Sequence, residues 1–319
     1  MSTEVIQWGI VGCGDVCEVK SGPGFQKAEG SALVAVMRRD RERADDYARR
    51  HGVPRVHATA DALIDDPDVH AVYIATPPST HLDLALRVAA AGKPCLVEKP
   101  MAMNHAECAR MVEAFRERRL PLWVAFYRRA LPRFLEVRAL LRNGTIGRPT
   151  SAHVLVKEPL ADEQKRHDWR FDPVAGGGLL LDLGSHCVDL LDFFLGPPTD
   201  VRGFSTNVSR AYATADLANM AARFADGAVA TALWNFHADE KADALEIVGT
   251  EGRLLTPIFS DSDVIVTCQG RTEVLAIRNP PHVHQPLIQT IVDELRGRGR
   301  CESTGESGAR SAWVLDRCK

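Results

Sequence analysis

One feature constrains this chain more than any other. An apolar run, Val5-Ile6-Gln7-Trp8-Gly9-Ile10-Val11, passes directly into Gly12-Cys13-Gly14-Asp15-Val16-Cys17. A buried strand that ends on glycines and leads into a helix is how a dinucleotide-binding βαβ unit begins. Gly12 would make the tight turn, and Gly14 would let the main chain approach a pyrophosphate. Cys13, Asp15 and Val16 complete the loop, and the N–H groups of the next helix would face the phosphates. Cys17 takes the third position, where Gly or Ala is expected, a modest departure because cysteine is small. The helix is interrupted after a few residues by Ser21-Gly22-Pro23-Gly24. Proline and glycine break helices, so the chain turns here. The turn brings Lys20 forward as a cleft residue; a plain kink is the other reading.

The alternation that follows says what surrounds this loop. Strand-like runs at Val5–Val11, Leu33–Met37, Val72–Ala75, Cys95–Val97 and Leu122–Ala125 alternate with helical stretches. These are Arg41–His51, Thr80–Ala91 and a segment from Asn104 to about Arg119, with Gly52 and Gly92 placed to end the first two. Alternation at this spacing predicts an α/β fold, a Rossmann domain with a parallel sheet and helices on both faces. After about residue 150 strand-like runs predominate: Ser151–Lys157, Val201–Ser209, Leu217–Phe224, Ala228–Phe236, Leu245–Val248 and Val264–Cys268. Asp226-Gly227 and Glu251-Gly252 sit where hairpins would turn. This part reads as an α+β domain with a large, mostly antiparallel open sheet. The expected division is residues 1–122 for the dinucleotide and 123–319 for substrate and oligomerisation. Ala228–Phe236 is apolar at both parities, which suggests either helices on one face and a partner subunit on the other, or simply a central strand. A homodimer or homotetramer through this sheet is expected.

Composition narrows the class. With 45% hydrophobic and 25% charged residues, the chain is neither disordered nor fibrous. A formal charge of −3 gives no electrostatic reason to bind nucleic acid or an anionic membrane. No run approaches the roughly 18 apolar residues that span a bilayer. The opening Met1-Ser2-Thr3-Glu4 lacks the basic region of a signal peptide, so a cytoplasmic location is expected. The eight cysteines form no CxxC pair and read as reduced, buried thiols; no metal site is expected.

Three further positions carry chemistry. At the end of the second run, Arg38 and Arg39 stand where an arginine accommodates the 2′-phosphate of NADP; an acidic residue there would favour NAD. NADP(H) is therefore the expected cofactor and NAD(H) the alternative, with Asp40 as a helix cap. Glu98-Lys99-Pro100 closes the fourth run, at the strand ends where ligands sit in open α/β sheets. A lysine there can donate to a substrate oxygen. Asp182 and His186 follow the triplet Gly176-Gly177-Gly178 and lie four residues apart, so a helix puts them on one face. Leu179, Leu183, Cys187, Leu190 and Phe194 would make an apolar stripe on the other side. A histidine titrating near neutrality is a natural base for an alcohol proton, oriented by a carboxylate.

Together with Ala75-Thr76-Pro77-Pro78-Ser79-Thr80-His81 and Trp169-Arg170, these motifs resemble those of the Gfo/Idh/MocA oxidoreductases, glucose–fructose oxidoreductase and inositol dehydrogenase among them. The resemblance runs from residue 5 to about 310. It implies that Lys99 contacts nicotinamide and substrate hydroxyl, that His186 is the general acid/base, and that Asp182 is its companion on the substrate. Thr76, Pro77, Pro78 and His81 would line the adenosine and diphosphate side, and Glu98 the nicotinamide ribose. Trp169 and Arg170 would approach the nicotinamide end, with Tyr127 nearby. Lys20, Tyr127 and His167 are the candidate substrate contacts. The activity implied is hydride transfer at a secondary alcohol or ketone of a sugar, polyol or related small molecule. The rival readings are an NAD-dependent glycosidase and a non-catalytic dinucleotide sensor.

Overall fold

The computed structural model describes residues 5–319. The first part runs β1 (Ile6–Val11), α1 (Asp15–Val19), α2 (Gly22–Lys27), β2 (Ser31–Met37), α3 (Arg41–His51), β3 (Arg55–His57), α4 (Ala60–Ile64), β4 (Ala71–Ile74), α5 (His81–Ala90), β5 (Cys95–Val97), α6 (His105–Glu117) and β6 (Leu122–Val124). Its six strands pair in parallel in the order β3-β2-β1-β4-β5-β6, the doubly wound order of a Rossmann fold. Every residue of β4, β5 and β6 is buried, as parallel strands covered on both faces require. Local chemistry sets the helix ends. Asp40 accepts from the Arg43 N–H at 3.2 Å to start α3, and Gly52 ends it at φ +66. Asn104 accepts from the Glu107 N–H at 2.9 Å, while Glu107 reaches back to the Met103 N–H. The break between α1 and α2 falls where Ser21-Gly22-Pro23 predicts it. Strand β3 escaped the sequence reading because Arg55-Val56-His57 is three residues long, has one apolar residue and lies at the sheet edge.

The chain continues through α7 (Pro132–Arg142), β7 (Pro149–Pro159), a π-helical turn at Leu180–Gly184 that runs into α8 (Ser185–Leu195), and β8 (Pro198–Thr206). Next come β9 (Leu217–Phe224), β10 (Val229–Ala238), β11 (Ala242–Gly249), β12 (Gly252–Thr256), β13 (Val264–Cys268) and β14 (Arg271–Leu275), then α9 (Gln285–Leu295) and α10 (Gly305–Leu315). The eight strands order as β14-β13-β12-β11-β7-β10-β9-β8. Only β7 and β10 are parallel; every other pairing in this sheet is antiparallel. Gly227, at φ +86, makes the β9–β10 hairpin. In β10 the burial alternates. Ala230, Ala232, Trp234 and Phe236 are buried, whereas Val229 and Leu233 are 44% and 40% exposed. The run is apolar at both parities because its outward face carries Val229 and Leu233, alternating there with Thr231 and Asn235.

Two compact units emerge. One holds the chain through Leu131 together with Pro280–Ala309; the other holds Pro132–Asn279 and Arg310–Lys319. The sequence reading divided the chain at 122/123 and did not foresee the return of 280–309. The return has a physical cause within the first unit. β6 is an edge strand, and the Val124 N–H donates to Ser303 O at 3.0 Å while Trp123 Nε1 donates to Glu294 at 3.1 Å. The returning segment thereby caps a sheet edge that would otherwise expose its hydrogen-bonding groups. α9 buries Leu287, Ile288, Ile291 and Val292 and packs on α2, where Gly24 leaves room for Ile288.

Candidate active site

In the first unit the loops at the carboxyl ends of β1, β4 and β5 build a cradle. Gly12 has φ +91, and a Cβ on it would lie 2.6 Å from Thr76 Cγ2, so the loops after β1 and β4 touch at this glycine. A Cβ on Gly14 would meet nothing closer than Gly12 O at 3.8 Å. The space above Gly14 is therefore open to a phosphate, and no side chain caps the N-terminus of α1. These features fit a bound dinucleotide. Because α1 spans only Asp15–Val19, its dipole is short and the loop amides would carry most of the contact. Cys13 turns its side chain inward, where burial pushes the thiol up to about 11. Cys17 is fully buried in the small-residue slot. Asp15 is exposed and Val16 half-buried on the outer side of the loop.

At the end of β2, Arg38 is half-buried and its Nη1 donates to Cys13 O at 3.3 Å, which leans it across the glycine loop. Arg39 is exposed beside it. Asp40 spends its carboxylate on capping α3. Thr76 and Pro77 are half-buried and line the β4 loop, with Thr80 Oγ1 donating to Thr76 Oγ1 at 2.7 Å. Pro78 and His81 are buried. His81 Nε2 lies 2.7 Å from Thr76 O, and its Nδ1 3.1 Å from Pro100 O. Burial pushes this imidazole below its ordinary value, against the opposing pull of those carbonyls. His81 ties the β4 loop to the β5 loop from behind; with no surface of its own it acts through Thr76.

The β5 loop carries Glu98 and Lys99, the lysine that the sequence singles out. Lys99 is half-buried and Glu98 is buried. Glu98 Oε1 accepts from Tyr73 OH at 2.5 Å, and Oε2 accepts from the Lys99 N–H at 3.0 Å. Burial raises the Glu98 carboxyl, opposed by Lys99, Tyr73 and Lys20. Lys20 is exposed at the α1–α2 break, and its charge reaches both Glu98 and His284. Tyr127 is buried and stacks on His284 with ring centres 4.5 Å apart. Motif reading passed over His284. Its neighbour His282 is half-buried, with Nδ1 3.2 Å from Val19 O. The available signal was the imidazole just ahead of the amphipathic stretch 285–295.

In the second unit the triplet does what close approach requires. A Cβ on Gly176 would lie 2.4 Å from Trp169 O and 2.8 Å from Arg170 Cα. Gly178, at φ +94, abuts Thr214 in the same way. Trp169 and Arg170 are thus pressed against the start of the helical segment. Arg170 stacks over the Trp169 ring at 4.4 Å, pairs with Asp168 at 3.0 Å, and brings Nε to 3.5 Å from Asp182 Oδ2. His167 and Arg170 line an open cavity of about 480 Å³ with Gln164, Lys165, Asp168 and Phe171.

Asp182 lies in the π-helical turn and His186 in the first turn of α8; both are buried, at 9% and 4% exposure. The expected two-faced helix is corrected here. The widened turn rotates Leu179 and Leu183 to half-buried positions. It also leaves a row of buried polar groups, Asp182, His186, Asp189 and Asp192, within an otherwise buried helix. Asp192 is matched by Arg310 at 2.6 and 2.9 Å. Phe259 meets the His186 ring edge-on, centres 6.0 Å apart. Asp243 holds the loop that carries Phe259. Its carboxylate accepts from the N–H groups of Ile258, Phe259 and Ser260 at 2.8, 2.8 and 2.7 Å. Neither Phe259 nor Asp243 was visible to motif reading, because their pairing spans a strand and a loop. Among the described residues no group of His, Cys, Asp and Glu assembles that could hold a metal ion.

The chain matches two family models. Residues 6–126 match one described as "Oxidoreductase family, NAD-binding Rossmann fold", and residues 134–255 match the "GFO/IDH/MocA C-terminal domain". Among relatives, "Oxidoreductase P35" of Formosa agariphila is 36% identical over 98% of this chain and 97% of its own length. The "1,5-anhydro-D-fructose reductase" of Ensifer adhaerens is 28% identical over 96% of this chain and 92% of its own. In fold the chain is similar to KijD10, a 3-ketoreductase from Actinomadura kijaniata solved with NADP and TDP-benzene. The TM-score is 0.85 at 23% identity, covering 98% of this chain and 96% of that one.

Proposed function

The chain belongs to the Gfo/Idh/MocA family of oxidoreductases, and from that premise we propose that it transfers hydride between NADP(H) and a secondary alcohol or ketone of a sugar, polyol or related small molecule. The observation that carries this reading is the buried Asp182–His186 pair, one helical turn apart beside Arg170. A histidine is suited to general acid/base work, and a carboxylate on the neighbouring turn can orient it or the substrate.

The Gly12–Gly14 loop, with Thr76 and Pro77 beside it, would hold the cofactor's diphosphate, and Arg38 and Arg39 would hold the 2′-phosphate. Support for NADP comes from Asp40, whose carboxylate is engaged at the α3 cap while two guanidiniums stand at the strand end. When bound, the nicotinamide supplies the hydride acceptor or donor. His186 takes the hydroxyl proton during oxidation and returns it during reduction. Lys99 donates to the substrate oxygen and stabilises negative charge as it develops there. Asp182, steadied by Arg170, binds a neighbouring hydroxyl. His167, Tyr127 and Lys20 are proposed substrate contacts, and Trp169 flanks the nicotinamide. The outward apolar positions Val229 and Leu233 support a homo-oligomer through the eight-stranded sheet. The eight unbridged thiols suit the cytoplasm.

Formation of NADPH on feeding a panel of sugars and polyols tests the activity. His186→Ala is expected to lower turnover roughly 10²–10⁴-fold with NADPH affinity unchanged. Full activity in that variant refutes the assignment of the base. NADPH binding without turnover on any substrate would favour the sensor.

A further inference from the structure

The first unit contains a buried polar cluster that the reaction above leaves unused. Tyr73 on β4, Glu98 at the end of β5 and His284 just ahead of α9 converge in the interior. Glu98 Oε1 accepts from Tyr73 OH, and Oε2 accepts from the main-chain N–H of Lys99. A carboxylate offers about four acceptor positions, so Oε1 keeps one open. His284 Nδ1 faces it at 3.8 Å. The ring is 1% exposed, and Nδ1 has no hydrogen-bond partner among the described residues. An N–H this deeply buried is costly to leave unpaired. A shift of under about 1 Å closes the distance to a normal N–H···O bond, and the gap is too narrow for a bridging water.

We infer that His284 is a positioning residue for Lys99: its Nδ1–H donates to Glu98 Oε1, and with Tyr73 it clamps the carboxylate that anchors the Lys99 main chain. The inference rests on the reading of Lys99 given above. Several groups bear on this cluster. Lys20, Lys99 and Arg128 face His284, and Tyr127 stacks on it; Tyr73, Lys20 and Lys99 face Glu98. Burial and the three cations hold His284 neutral, near a value of about 3, so the ring has one N–H to place. The Glu98 carboxylate selects the tautomer with that proton on Nδ1, as a carboxylate does for any imidazole it faces. Burial works against the ionised form of Glu98, and the added donor works for it.

The test needs no substrate. Infrared titration of the full chain follows the Glu98 carboxyl stretch, assigned by its loss in Glu98→Gln. His284→Phe keeps the stack on Tyr127 and removes the donor. It is expected to raise the pH at which Glu98 becomes protonated by about one unit, a tenfold change in proton affinity. His284→Asn puts an amide nitrogen near the place of Nδ1 and is expected to restore the wild-type titration. Acetylation of Lys99 relative to the exposed Lys27, read by peptide mass spectrometry, should be about three times faster in the Phe variant and normal in the Asn variant, as a loosened anchor requires. An unchanged titration in the Phe variant overturns the clamp. A shift that Asn does not reverse also overturns it, because packing then accounts for the change. A shifted titration with unchanged acetylation overturns the positioning of Lys99. Since neither readout uses turnover, failure of the hydride-transfer reading shows separately, as the absence of any substrate in the polyol panel.

Discussion

Two alanine substitutions in the phosphate loop, two residues apart, should have opposite consequences. Gly12→Ala forces a side chain onto φ +91 and places its Cβ 2.6 Å from Thr76 Cγ2, 3.0 Å from Thr76 N and 3.1 Å from Ala75 C. The positive φ costs about 1–2 kcal/mol for a residue with a Cβ. The overlap adds about 1–3 kcal/mol, and much of it is against main chain that cannot rotate away. The sum, about 2–5 kcal/mol, corresponds to a fall in Tm of roughly 4–20 °C for a unit of this size. Gly14 has φ −103 and ψ −161, extended backbone that alanine adopts freely, and its Cβ would have only Gly12 O within 4 Å, at 3.8 Å. Gly14→Ala should therefore melt within about 1–2 °C of wild type, as a surface change does. On the proposed function the same methyl would stand where a pyrophosphate approaches, so NADPH affinity should fall at least about tenfold, or 1.4 kcal/mol. Thermal melting of the ligand-free chain and fluorescence titration with NADPH separate the two effects. A Gly12→Ala variant that melts with wild type would refute the strain argument. A Gly14→Ala variant that binds NADPH normally would refute the placement of the diphosphate.

The cofactor reading predicts that replacing Arg38 and Arg39 together with alanine lowers the NADPH-to-NADH affinity ratio by about tenfold or more, as loss of charge-assisted phosphate contacts requires; a ratio that does not move removes the clamp. Asp243→Ala strips three N–H groups of their acceptor. It should cost about 2–4 kcal/mol in urea unfolding and blunt the pH profile of turnover, since Phe259 loses its fixed place against His186; intact stability would deny the loop its anchor. Glu18 is held down at about 2 by hydrogen bonds from Arg50 and His51. A carboxyl depressed on folding stabilises the protein above its unfolded value near 4.5, and the gain is lost as pH falls from there toward 2. After allowance for solvent screening at this partly exposed site, Glu18→Gln should cost about 1 kcal/mol at pH 7 and nothing near pH 2. A difference that persists in acid would contradict the linkage.

Local chemistry made much of the first unit readable. β1, α3 and α6 lie within one or two residues of their expected limits, because Gly12, Asp40, Gly52 and Asn104 act on neighbours a few positions away. Cys17 was recognised as a departure and lies buried where a small residue is needed. Asp182 and His186 are both buried, but the stripe expected beside them does not form. A π-turn adds one residue to one turn, and periodicity carries no sign of it.

What the sequence determined by itself is the part of the protein whose causes are short-range: a glycine loop between strand and helix, the alternation that makes a parallel sheet, and the motifs that mark the family. The tertiary structure alone decided which distant groups share an interior. It returned 280–309 to the first unit to cover the edge of β6, and so set His284 beside Glu98. It put Asp243 under the loop that carries Phe259 to His186. Burial is a property of the packed chain, and a polar group's cost and use depend on burial. The polar residues that matter most after the motifs were therefore the ones the sequence could not mark.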